Sequence, residues 1–289
     1  MKTVVKHSLA LLTIAGLFTA CSDDQTPTQP PVTESAQALQ AYAQGNTSDD
    51  GDDGDDGDDE EVVVFQAAGP TVASIQGTVD AYRAALGDPN NGIAPGPLAS
   101  GRREINWDGG GSATTITGTP LTNFLNARGA LFTTTGTGFV QAPLSGLADT
   151  FHNPTYESIF QPFSPQRLFS AIDSNVHETQ FFVPGSNGGT PATVRGFGAV
   201  FTDVDKRGKG NASTRIEYFD ADGDLLFSRF VPALRGDGSL SFFGIVFDDA
   251  RIFRVRITSG NVAPGPDDGG RRDVVMMDDF LYGEPQATF

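Results

Sequence analysis

The stretch ARIFRVRITSG, Ala250 to Gly260, limits the choice of fold more than any other in the chain. Phe253, Val255 and Ile257 alternate with Arg254 and Arg256, which puts apolar side chains on one face of an extended strand and charge on the other. Similar runs recur. RREINW (102–107), RGALFTTTG (128–136), ESIFQPF (157–163) and HETQFFVPG (177–185) are β-rich and bounded by turn residues. VRGFGAVF (194–201) sets Phe197, Ala199 and Phe201 on one face, and STRIEYFDADGDLLFSRFV (213–231) holds a hairpin turning at Ala221–Asp224. DVVMMDDFLYG (273–283) is the final strand. One stretch only has a helical period: after Thr71, a candidate cap, Ile75, Val79, Tyr82 and Leu86 recur on one side until Gly87 and Pro89 end the run. About eight to ten short strands without alternating helices predict a mainly β fold, an antiparallel β-sandwich of jelly-roll type with one N-terminal helix. No repeat of solenoid or propeller length is present.

The N-terminal part of the chain cannot share that core. DDGDDGDDGDDEE (49–61) holds ten acids and three glycines. The chain carries a net charge of −17, but 13 of its 36 acids precede Val62, leaving 23 acids and 17 bases in residues 62–289. The body is thus ordinarily charged, with no basic stripe of the kind nucleic acids require. From Ser22 to Glu61, Pro, Gln, Thr, Ser, Gly and Asp dominate, a composition too polar to fold. As a flexible coil these 40 residues span roughly 35 Å, and repulsion between aspartates extends them further. A spacer is the expected role. Cation capture by the repeat is disfavoured, because calcium needs ligands fixed around a sharp turn.

Ahead of the spacer, MKTVVKHSLALLTIAGLFTA has two lysines, an apolar run and a small-residue end, in the order of a secretory signal. The only cysteine, Cys21, follows directly, so no disulfide forms within the chain. The arrangement resembles the lipobox of bacterial lipoproteins, with Phe18 where leucine is usual. That resemblance implies acylation of Cys21 and anchoring to the cell envelope, at an outer membrane or cell surface. The expected organisation is a signal peptide over 1–20, a disordered acidic tether over 21–61 and a β-sandwich over 62–289.

In the body, GRREINWDG (101–109), FFVPG (181–185), RGFGAVFTDVD (195–205), FFGIVFDDARIFRVRITSG (242–260) and VVMMDDFLYGEP (274–285) resemble a set of uncharacterised exported bacterial proteins. Those carry a jelly-roll domain and often a PEP-CTERM sorting tail. The resemblance implies fold and export and no established activity; Gln286–Phe289 carries no such tail, and the lipid is expected to take over its role.

Reactive groups are scarce. Only His152 and His177 follow the signal, with no HExxH or GxSxG spacing, and no catalytic residue is assigned. Glu104, Glu157 and Glu178 are the acids available to a carbohydrate-active hydrolase, the alternative reading. A non-catalytic binding or surface structural module fits better, with Trp107, Tyr156 and Tyr282 as aromatic platforms for an envelope or extracellular glycan. Asp203 and Asp205 end a strand before a glycine-rich loop, and Asp278 and Asp279 interrupt an apolar strand. Buried carboxylates need water or a cation, so these four, with loop carbonyls near Gly208 and Gly210, are the expected ligands of a structural calcium ion. Asp222 and Asp224 belong to turn chemistry.

Overall fold

The structure, a computed structural model, describes residues 62–205, 214–267 and 270–288. The signal segment, Cys21, the acidic tether, Gly208 and Gly210 lie outside the described residues. Among the described residues no helix is long and apolar enough to cross a membrane.

The chain is mainly β, with two large antiparallel sheets, and only four α-helices are described. The larger sheet holds β1 (Val63–Gly69), β2 (Arg102–Ile105), β3 (Thr115–Gly118), β5 (Gly138–Ala142), β6 (Leu168–Ile172), β9 (Gly196–Thr202), β12 (Leu240–Val246) and β14 (Met276–Gly283). Its order is β1-β12-β9-β14-β6-β5-β3, with β2 also pairing β14. The smaller sheet runs β11 (Leu225–Phe230), β10 (Arg215–Phe219), β13 (Arg254–Thr258), β7 (Val176–Phe181) and β4 (Ala130–Thr134). A two-stranded sheet pairs β8 (Ala192–Thr193) with β15 (Gln286–Ala287).

The alternation read from the sequence decides which residues meet between the large sheets. Phe197, Ala199 and Phe201 from β9 join Val255 and Ile257 from β13, Ile216 and Tyr218 from β10 and Met277 and Phe280 from β14 in one buried cluster. At Phe253 the parity breaks: Ile252 is buried and bridges Val194, while Phe253, expected to face inward, is half-buried.

The two outer faces differ. In the large sheet every residue of β9, β12 and β14 is buried, because other elements cover its outer side. Helix α1 (Val72–Leu86) lies there with Ile75, Val79, Tyr82 and Leu86 inward, as their spacing predicts. Two glycines paired in register, Gly198 and Gly244, leave a notch for the Tyr82 ring; a Cβ on either would stand 2.9 Å from it. Helix α2 (Leu125–Arg128) precedes β4. Helices α3 (Leu144–Phe151) and α4 (Tyr156–Ile159) make a second outer cluster with Leu168, Val274 and Met276. α4 falls in the run expected as a strand, 157–163. There Asn153 Oδ1 accepts from the Thr155 N–H and hydroxyl, and Tyr156 and Ile159 bury one turn apart, so local capping prevails over β-rich composition. The smaller sheet instead alternates half-buried with buried residues in β7, β10 and β13.

Candidate functional site

The three aromatic residues expected as platforms are interior. Trp107 stacks on Phe169 with centroids 3.8 Å apart and planes 3° from parallel, and its Nε1 donates to the Asp278 carbonyl at 2.9 Å. Tyr156 bridges both backbone polar groups of Gly265 through its hydroxyl. Tyr282 packs on Phe181 and donates to the Arg128 carbonyl at 2.9 Å. A platform needs a free ring face, and all three rings are buried. That expectation is corrected: these residues hold the core together.

The four aspartates are also inside or tied down. The final strand does run beside β9, with Met276 opposite Thr202. Between Met277 and Phe280, however, the register slips by one residue, so Asp278 and Asp279 form a bulge. Asp278 Oδ2 accepts from the Phe163 and Ser164 N–H groups at 2.6 and 3.1 Å, and Oδ1 accepts from Ser164 Oγ at 3.0 Å. Asp279 Oδ2 meets Arg83 Nη2 at 3.3 Å, and Arg83 also holds Glu104 at 3.2 Å. Burial first, and then the charge of Asp279, hold the Asp278 carboxyl well above the ordinary range. Burial also raises Asp279, while hydrogen bonds from Ser164 and Asp278 and the charge of Arg83 work against it. At the end of β9, Asp203 donates its N–H to the Ser239 carbonyl at 2.8 Å, and Asp205 Oδ1 accepts from Gly236 N at 3.2 Å. Among the described residues no three His, Cys, Asp or Glu side chains gather in a metal-binding arrangement. Asp220 Oδ1, in the β10–β11 hairpin, accepts from the Asp222 and Asp224 N–H groups, as turn chemistry predicts.

The outer face of the smaller sheet offers an open concavity. Its register builds a polar row across all five strands: Ser228, Glu217, Arg256, Glu178 and Thr133 lie side by side. Glu178 Oε1 accepts from Arg254 Nη1 at 2.7 Å and Arg256 Nε at 2.8 Å. Arg254 is itself held 4.0 Å above the Phe219 ring. A groove of about 460 Å³ runs over four members of this row, Glu217, Arg256, Glu178 and Thr133, with Thr134, Thr135 and Thr258 on its walls. Its lining combines hydroxyls that both donate and accept, carboxylates that accept and a guanidinium that only donates.

Of the three glutamates singled out, only Glu178 lies in this groove. Glu104 pairs with Arg83 and Arg102 on the covered side of the other sheet, and Glu157 is exposed on α4. Glu217 and Arg256 were missed as site residues. Alternation places Arg256 outward, but only strand order reveals that two glutamates flank it. Comparison with protein-family models, curated proteins and solved structures finds no match in any of the three.

Proposed function

We propose that this chain is an exported, lipid-anchored binding module of the cell envelope, and that the groove on its five-stranded sheet receives a glycan. The polar row from Glu217 to Thr133 in the groove carries this reading. Sugar hydroxyls donate and accept at once, and the row alternates acceptors with donors at the strand spacing of about 4.8 Å. The acidic segment serves as tether and the acylated Cys21 as anchor. Support for a jelly-roll winding comes from strand order: β6-β14-β9-β12 in one sheet and β7-β13-β10-β11 in the other. From β6 onward this order supports two interlocked Greek keys, with β8 and β15 added as a separate pair.

A hydrolase is the second reading, favoured by the position of Glu178 and Glu217 on either side of Arg256. Two strand spacings put their backbones about 9.6 Å apart, just beyond the upper end of the ~6.5–9.5 Å carboxyl separation of inverting glycosidases. Against it, Glu178 Oε1 already accepts from two arginines, which suits organising a face better than handing over a proton. A glycan array with a reducing-sugar assay on the purified protein separates the two. Binding without turnover, lost in Glu217→Gln and Arg256→Ala, supports the module; turnover supports the enzyme. An array on which wild type and variants behave alike overturns the groove as the site.

A further inference from the structure

Arg167 stands apart from every other arginine in the core. It is 1% exposed, yet among the described residues it forms no ion pair. Of its five side-chain N–H groups, Nη2 donates to the Gln141 carbonyl at 2.5 Å, and Nε is buried with no acceptor. Arg103, equally buried, has a carboxylate gripping it in two places. The nearest acid, Asp108, holds the Arg167 backbone and not its guanidinium: Oδ1 accepts from the Arg167 backbone N–H at 3.0 Å, and no ion pair joins the two side chains among the described residues. Burial pushes the guanidinium below its ordinary value, and Asp108 offsets this in part. A buried guanidinium with donors unspent is costly unless an acceptor reaches it.

Part of what covers Arg167 is an exposed turn. The turn Asp108–Gly110 runs over the guanidinium, and a Cβ on Gly110 would collide with Nη1. A Cβ on Gly109 would meet nothing within 4 Å, so beyond the turn lies open space. The turn hangs from a fixed post, since Trp107 is anchored to β14 through Nε1. Two non-glycine residues with left-handed backbone flank the place, Trp107 at φ 63° and Gln166 at φ 124°.

We propose that Arg167 is the floor of a binding seat for an oxyanion group, a carboxylate or a phosphate, which enters when the Asp108–Gly111 turn lifts. Nη1, the nitrogen that lies under Gly110, gives the ligand a charge-assisted hydrogen bond once the turn lifts, and Nε offers a second on the other edge of the guanidinium. Gly109 and Gly110 keep the approach free of side chains. The seat is independent of the groove, since Arg167 precedes β6 in the other sheet.

The test uses the full-length chain and three salts at equal ionic strength: sodium galacturonate, sodium phosphate and sodium chloride. An oxyanion at tenfold excess over its Kd is expected to raise the melting midpoint by roughly 3–6 °C relative to chloride. Arg167→Gln abolishes that increment. A shift with galacturonate alone assigns the seat to acidic sugars, with phosphate alone to phosphate, and with both to the shared head group. As a readout that tolerates an unstable variant, the Arg167 Nε–H resonance of the wild type should move in the effective salt and stay still in chloride. Melting midpoints indistinguishable among the three salts, together with an unmoved resonance, overturn the proposal. So does an increment that survives in Arg167→Gln.

Discussion

Arg103 grips Glu284 with two parallel hydrogen bonds, Nη2 to Oε1 at 2.7 Å and Nε to Oε2 at 2.8 Å, with both side chains buried. The pair joins β2 to the end of β14 and organises the connection between α1 and β2. Glu284 also accepts from Leu98 N and Asn91 Nδ2, and Arg103 Nη1 donates to the Gly92 and Ala127 carbonyls. Removing one partner leaves a buried charge, so Arg103→Met or Glu284→Leu should each cost about 3–5 kcal/mol in urea unfolding. The double replacement should cost clearly less than the two losses combined. Single losses below ~1 kcal/mol would contradict this role.

Tyr82 in its glycine notch gives a second prediction. Gly198→Ala or Gly244→Ala forces the ring away from the sheet and should cost ~1–3 kcal/mol by overpacking. Tyr82→Phe keeps the ring and loses only the hydroxyl's bond to the Ile245 carbonyl, at a cost nearer ~1 kcal/mol. Thermal denaturation of the three variants should give that ranking.

His177 sets an acid limit. It is enclosed by Phe139, Phe169 and Phe280, its Nε2 has no hydrogen-bond partner, and burial lowers its pKa to about 3. Its unfolded counterpart titrates near ~6.5. Between these values the unfolded chain binds the proton and the folded one does not, so the contribution of His177 to stability is lost as pH falls from ~6.5 toward 3. The slope approaches ~1.4 kcal/mol per pH unit. His177→Phe should flatten the difference between stability at pH 7 and pH 4.5; urea midpoints that fall equally in both proteins would refute it.

The carboxyl pair at the bulge should respond unequally. Asp278 is held by donors to its oxygens, so Asp278→Asn keeps a side-chain oxygen that still accepts from the Phe163 and Ser164 N–H groups, at a cost of ~1 kcal/mol or less. Asp279→Asn removes the charge beside Arg83 and should cost more, ~1–3 kcal/mol. Equilibrium unfolding of both variants at pH 7 decides it, and the reverse order would contradict the ranking.

Much of the β architecture was legible in the chain, because a period of two is a local property. Val255 and Ile257 face inward, and Phe197, Ala199 and Phe201 share a face, as alternation requires. The helix over 72–86 was equally legible, because its four apolar residues recur at a spacing of one face. A strand's period says which side a residue takes and nothing about which strand lies next to it. Glu178, Arg256 and Glu217 are separated by 38 residues or more along the chain, and only sheet order sets them in one row. Trp107, Tyr156 and Tyr282 show the same limit from the other side. Their ring chemistry suits a platform as well as a core, and burial by neighbours distant in sequence made them core. Asp278 and Asp279 sit in an apolar run where alternation would split them between faces. The bulge turns both toward the covered face, where donors from Phe163, Ser164 and Arg83 meet them. That one-residue slip in register is a property of two strands together, which is why tertiary structure alone decided it.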